Sequence, residues 1–354
     1  MLGRVAPIGH ASRVEAFGDE HGVVLPVRAR DLDQSVRRAA SVGWGEWRRS
    51  SHGRYVPRYV APTPAQRIAE AGVLLVPPSA ITGWASLAWQ GARWFDGTTW
   101  DKSPRPVPIA YWRHVIRPQP IITLCEERFD LREVRVVDGL RVTDAVRATC
   151  FEMRYASNLR AAVRALDMAA FNDHASIAEV TDWVALHPSY TGIEQARLAV
   201  PLGDENAWSP AEVDFRLDWT ELVGTRPWTN RPLFDLDGRH LGTPDLIDPR
   251  TGVLGEWDGP LHLEGDRRTA DLKREGEFRG HGLHPVTMVR GDRRDPTSFQ
   301  YRLRGAYADA ARQPVAERRW TLTPPDWWVP TWTVAQRRAL SEQDREIWLR
   351  IRAG

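Results

Sequence analysis

Thr243-Pro244-Asp245-Leu246-Ile247-Asp248-Pro249-Arg250-Thr251-Gly252-Val253-Leu254-Gly255-Glu256-Trp257-Asp258-Gly259-Pro260-Leu261-His262 is the stretch on which the reading of this chain turns. It places Asp245 on an extended segment. A turn at Arg250-Thr251-Gly252 follows, then a short apolar run that ends in Glu256 and Asp258, with His262 close behind. Residues two apart on a strand project from the same face, so Glu256 and Asp258 share one. Carboxylates that converge from adjacent strands repel each other and are tolerated chiefly around a cation. Hard oxygen donors, with a group that handles an attacking water, are what Mg²⁺-dependent phosphodiester hydrolysis requires.

Working outward, Ser209-Pro210-Ala211-Glu212 has the form of a capping box and opens an amphipathic helix through Phe215, Leu217 and Leu222. Strand-like runs at 232–236, 240–247 and 253–258 are separated by Asp237-Gly238 and by the Arg250 turn. A charged helix over about 266–279 and a closing strand at 285–290 complete the order α-β-β-β-α-β. Beyond residue 312 a Trp/Pro-rich stretch leads to a terminal helix over about 334–352.

Upstream, the first twenty residues show no periodicity. A helix is expected from about Arg28 through Leu32, Val36 and Ala40, stopping at Gly43. Two short strands follow around Ser50-Ser51-His52-Gly53. Helix followed by basic hairpin is the layout of a winged helix-turn-helix, in which the hairpin touches phosphates. A short αβ cap with an ordinary charged hairpin has the same pattern. From Thr63 to about Gly203 helices alternate with short strands at 107–112, 121–124 and 134–137. Capping boxes mark helix starts at Thr63 and Ser176, and further helices follow Ser79, Thr143 and residue 157. No cluster there reads as catalytic.

The expected architecture is mixed α/β, with a winged-helix-like region at 1–60 and an α/β middle domain at 61–205. An αβββαβ core follows at 206–312, then a tail with a terminal helix at 313–354. A chain of 354 residues has room for these. No apolar run approaches the roughly 18 residues of a membrane span, and the opening residues lack a signal-peptide pattern. With Cys125 and Cys150 the only cysteines, a cytoplasmic protein without structural disulfides is expected. Residues 1–60 carry ten Arg against six acids, whereas 206–292 carry sixteen acids against eleven Lys plus Arg. A basic end joined to an acidic segment fits phosphate docking beside a cation site; scattered solvated charge gives the same counts. The only lysines are Lys102 and Lys273.

The order of elements and the acids Asp245, Glu256 and Asp258, with Glu212 on the preceding helix, resemble the restriction-endonuclease-like core of the PD-(D/E)XK nuclease superfamily. The resemblance is to its small Vsr-like (very-short-patch-repair-like) version. The following helix with Asp266, Arg268, Asp271 and Arg274, and the strand end Val289-Arg290, fit the same pattern over about 206–295. His21-Gly22-Val23-Val24, the hairpin ending Gly53-Arg54-Tyr55-Val56, and residues 136–143 resemble the N-terminal half of abortive-infection-type antitoxins. In actinobacterial-type proteins the two halves often occur fused.

The resemblance implies a metal-dependent DNA endonuclease that hydrolyses phosphodiesters by metal-activated water. Mg²⁺ or Mn²⁺ would be held by Asp245, Glu256 and Asp258, and double-stranded DNA docked by the winged helix through Arg48, Arg49 and Arg54. Arg268 and Arg274 would grip phosphate or pair with the carboxylates. Where the usual motif has a lysine, this chain has Asp258; the small Vsr-like domains commonly show Asp followed by Gly and a His. His262 would act as base or orient water. Lys273 either reaches in as the missing lysine or is a solvated helix residue. Glu212 is either a catalytic acid or only a cap. The alternative is an antitoxin-type transcriptional regulator with an inactive nuclease-like domain, working with a partner toxin or as a homodimer. A structure-specific RNA enzyme is a third reading. A membrane partner is not expected.

Overall fold

The computed structural model describes residues 21–99, 101–111, 116–127, 129–258 and 265–350, with residues 41 and 265–272 as backbone alone. The architecture is mixed α/β. The chain divides into two units: the described residues up to Tyr155 together with Asp182–Ile193, and Ala156–Thr181 together with the chain from Glu194 onward.

In the first unit β1 (Val27–Arg28) precedes α1 (Gln34–Ser41), and β2 (Trp47–Ser51) and β3 (Arg54–Pro57) form a hairpin. The antiparallel sheet runs β1-β3-β2. The helix expected from Arg28 therefore begins at Gln34, because Arg28 is a strand residue paired with Arg54. In α2 (Pro64–Gly72), Thr63 accepts a hydrogen bond from the Gln66 N–H at 3.2 Å. Pro64 at the first position forfeits an amide that the helix start leaves unpaired anyway. Next come β4 (Ala80–Ile81), α3 (Gly83–Trp89), β5 (Val107–Tyr111), β6 (Ile122–Glu126), β7 (Val134–Val137), β8 (Leu140–Thr143) and α4 (Ala145–Arg154). The five strands form one mixed sheet, β6-β5-β4-β8-β7. Positive φ at both Asp138 (44°) and Gly139 (76°) gives the β7–β8 hairpin the mirror-image turn that matches strand twist. Trp84, Leu87, Ile109, Val142, Cys150 and Met153 are buried in this unit.

The second unit begins with α5 (Leu159–Phe171), α6 (Ile177–Leu186, which crosses the division), α7 (Ile193–Ala199) and α8 (Pro210–Val223). Then come β9 (Trp228–Thr229), β10 (Leu233–Phe234), β11 (His240–Gly242), β12 (Leu246–Ile247), β13 (Val253–Asp258), α9 (Gly265–Gly280), β14 (His284–Val289), α10 (Thr297–Arg312), α11 (Val334–Arg338) and α12 (Glu342–Trp348). The main sheet runs β14-β13-β12-β9. Strands β13 and β14 are parallel, and α9 supplies the crossover such a pair requires.

Three expectations change here. The run 240–247 is two strands, not one: β11 pairs with β10 in a separate ribbon, and β12 joins the main sheet. Gly242, where a Cβ would sit 2.8 Å from Phe278 Cζ, and Pro244, which lacks an amide hydrogen, break the run between them. The expected strand at 232–236 belongs to that ribbon, so β9 is the sheet edge instead. The terminal helix is two short helices, with Ser341 capping the second through the Asp344 N–H at 3.1 Å. Helix α10 was not anticipated.

Strand alternation divides the main sheet into two buried faces. Leu246, Val253 and Gly255 meet Phe215 and Trp219 of α8 and Phe299 and Leu303 of α10. Ile247 and Leu254 meet Leu233 and Leu241 of the ribbon and Phe278 of α9. By the same alternation Asp245, Glu256 and Asp258 leave the sheet on the α9 side.

Candidate active site

Leu246 pairs with Gly255 and Ile247 with Leu254 across β12 and β13. One step further in the same register sets Asp245 opposite Glu256. Leu246 also pairs with Thr229 of β9, which sets Asn230 opposite Asp245 on the other side. The Asn230 N–H donates to the Asp245 carbonyl at 2.9 Å, holding that register. Asn230, Asp245 and Glu256 thus stand in a row at one end of the sheet.

The backbone aims each group. The Trp257 N–H donates to Asp245 Oδ2 at 2.6 Å. Glu212 sits in the first turn of α8, where its own amide donates to Ser209 Oγ at 3.2 Å. Its Oε2 accepts from the Trp208 N–H at 2.8 Å and from Asn230 Nδ2 at 2.6 Å. Glu212 is therefore a helix-start residue whose carboxylate is tied to the residue facing Asp245. Asn230 adopts a left-handed backbone, φ 47°, a conformation that Asn tolerates better than most side chains. Its Nδ2 also donates to the Asn206 carbonyl at 2.8 Å, while its buried Oδ1 meets no hydrogen-bond donor among the described residues.

Electrostatically the row is strained. Burial first, then repulsion from Glu212 and Glu256, pushes the Asp245 carboxyl well above the ordinary carboxylate range; the Trp257 amide and Arg274 oppose this more weakly. Arg274 on α9 lies 3.8 Å from Glu256. Asp258, the last residue of β13, is exposed, and Lys273, next to Arg274, is exposed on α9. His262 lies outside the described residues, as do the side chains of Asp266, Arg268 and Asp271. Among the described residues no three His, Cys, Asp or Glu side chains stand together closely enough, as placed, to hold a metal ion. What the sheet itself brings together is the pair Asp245 and Glu256, with Glu212 beside them through Asn230.

In the first unit the hairpin arginines part company. Arg48 is committed inward: its guanidinium donates to both oxygens of buried Glu70, at 3.0 and 2.5 Å. Arg54 is paired with Arg28 across β3 and β1. Burial, then the adjacent Arg28, lowers its pKa. Arg49 points to the hairpin tip, 2.8 Å from His52 Nδ1.

Compared with family models, curated proteins and solved structures, the chain matches none. Among the described residues no helix is long and apolar enough to cross a membrane.

The residue that sequence reasoning missed is Asn230. Its signal is a register pairing with Asp245 that does not exist until β9 is recognised as the edge strand.

Proposed function

We propose that the chain is a metal-dependent DNA endonuclease whose chemistry resides at the Asp245 end of the β12–β13 pair. One observation carries this reading: two carboxylates set side by side across adjacent strands, one of them buried and destabilised in its charged form by its neighbours. The Trp257 amide and Arg274 offset that repulsion and burial only in part. Burial combined with like-charged neighbours is the arrangement by which active sites shift their acids, and buried structural ion pairs shift theirs as well.

The donor chemistry fits a hard divalent cation. Asp245, Glu256 and Asp258 offer carboxylate oxygens, and Asn230 Oδ1 is a buried carbonyl with no donor among the described residues. When bound there, Mg²⁺ or Mn²⁺ would polarise the phosphate and make water a better nucleophile. The chain's own part is orientation: the Trp257 amide fixes the Asp245 rotamer, and Asn230 Nδ2 ties Glu212 beside it. Arg274 stands close to Glu256 and is half exposed, a position suited to gripping a phosphate. His262 remains the proposed base. Docking on double-stranded DNA is assigned to the first unit, as a winged-helix-like region.

The test is Glu256→Ala. Mg²⁺-dependent nicking of plasmid should fall about a hundredfold or more, with DNA affinity within about twofold of the parent. A variant that nicks as fast as the parent would assign the activity to another site or a contaminant.

One observation favours the antitoxin-type regulator: Asp258 stands where a charge-stabilising lysine is usual, and Lys273 is exposed. In that case purified parent protein binds operator DNA and shows no metal-dependent nicking at any protein concentration.

A further inference from the structure

A second charged feature lies in the first unit and is independent of the carboxylate row. Between the β2–β3 hairpin tip and the segment before β6 is a cleft of about 400 Å³ lined by Arg49, Ser50, Ser51, His52, Arg117 and Gln119, among others. His52 lies between two guanidinium groups. Its Nδ1 is 2.8 Å from Arg49 Nη2, and its Nε2 is 3.4 Å from Arg117 Nη1. A neutral imidazole can accept at only one nitrogen, so one of these contacts sets donor against donor. Arg49 Nε donates to the Ser51 carbonyl at 3.2 Å, and among the described residues neither arginine is ion-paired with a carboxylate.

The hairpin geometry adds neutral donors. Arg49 pairs with Tyr55 and Ser51 with Arg54, leaving Ser50 as an extra residue, a bulge that re-aims neighbouring side chains. Ser50 and Ser51 are 5% and 6% exposed, line the cleft, and their hydroxyls meet no partner among the described residues. Leaving buried hydroxyls unpaired is costly, so a ligand that accepts from them is favoured. The Gln119 Oε1 accepts the His52 N–H at 2.7 Å, which anchors the loop to the hairpin tip.

We propose that this cleft is a binding site for a phosphate group, with Arg49 and Arg117 as charged donors, His52 between them, and the Ser51 hydroxyl completing the set. Two guanidinium groups facing one cleft suit a phosphate, whose oxygens can accept from both forks at once. The volume falls within the range of small-ligand pockets, about 300–1,000 Å³. The cleft has room for a phosphate with an attached group, either part of a nucleic-acid backbone or a small phosphorylated molecule. The site stands whether or not the second unit cleaves DNA.

Calorimetry on the full chain tests it, using thymidine 5′-monophosphate, thymidine and inorganic pyrophosphate as probes. The monophosphate and pyrophosphate should bind and thymidine should not. Arg117→Gln should weaken binding about tenfold or more, the loss expected for one charge-assisted hydrogen bond. Arg58→Gln is the control for diffuse charge, since Arg58 donates to its own neighbouring carbonyls of Gly45 and Trp47; it should change binding less than about twofold. Ser51→Ala removes an unpaired hydroxyl, so it should fold at least as stably as the parent and still bind pyrophosphate several-fold more weakly. Displacement of a short DNA duplex by pyrophosphate would assign the phosphate to a nucleic-acid backbone; binding without displacement would assign it to a free ligand. No binding of either phosphate probe at millimolar concentration would overturn the site. So would unchanged binding in both Arg117→Gln and Ser51→Ala, or equal loss in Arg58→Gln.

Discussion

Asp245 concentrates the electrostatic cost of the second unit, and its consequences are measurable without any activity. Its folded carboxyl titrates above the ordinary range because of burial and the neighbouring Glu212 and Glu256. A carboxyl shifted upward on folding contributes most below its unfolded pKa, and the contribution is lost as pH rises through the folded value. The parent should therefore lose stability as pH climbs above about 4, where unfolded carboxyls ionise, until the folded carboxyl has ionised too. Asp245→Asn should remove part of that slope and melt higher than the parent at the alkaline end. Mg²⁺ should raise the parent's melting temperature there but have little effect on the variant. Parallel melting curves across the pH range would contradict this account. Asn230→Ala deletes the donor to Glu212 and to the Asn206 carbonyl and leaves a non-glycine residue in a left-handed backbone. A loss of about 1–3 kcal/mol is expected by urea titration; a loss under about 0.5 kcal/mol would mean that the Asn230 bonds contribute little to holding Glu212.

Helix starts and strand faces were readable because their causes are local. Ser209, Thr63 and Ser176 each accept the amide three residues on, as their spacing implies, and the two-residue period of β13 put Glu256 and Asp258 on one side. The breaks were not readable in the same way. Separating β11 from β12 depends on where each finds a partner strand, and the close approach of Gly242 to Phe278 exists only once α9 has packed. The pairing of Asn230 with Asp245, and the commitment of Arg48 to Glu70, are likewise products of register and not of spacing. Two glycines make the element scale testable. At Gly255 a Cβ would lie 2.6 Å from Phe215 Cζ and 2.8 Å from Trp219 Cζ3, so Gly255→Ala must push α8 off the sheet, at about 1–3 kcal/mol. At Gly276, inside α9, a Cβ meets nothing within 4 Å, so Gly276→Ala should stabilise by about 0.5–1 kcal/mol. Chemical denaturation of both should give shifts of opposite sign; shifts of the same sign would refute the packing of α8 on β13.

Across the second unit, α5 and α8 are joined by a fully buried ion pair, Asp167 with Arg216, at 2.6 Å. Arg216 also donates to the Leu202 carbonyl at 2.7 Å, and the Asp204 amide donates to Asp167 at 2.7 Å. Removing one partner leaves an uncompensated buried charge, so Arg216→Met should cost about 3–5 kcal/mol. The double variant with Asp167→Leu should recover much of the loss in a thermal melt. If the double variant were the less stable of the two, the pair would hold the helices by more than charge compensation. At the scale of the whole chain, the near absence of lysine has a practical outcome. The sequence contains two side-chain amines, Lys102 and Lys273, and the second is exposed on α9, the helix from which Arg274 reaches Glu256. Any acylating reagent or amine-modifying enzyme acting on Lys273 is delivered to the helix that carries Arg274. A fluorophore coupled there would turn the protein into its own reporter of what binds at that end of the sheet, with the Lys102 label in the other unit serving as an internal reference.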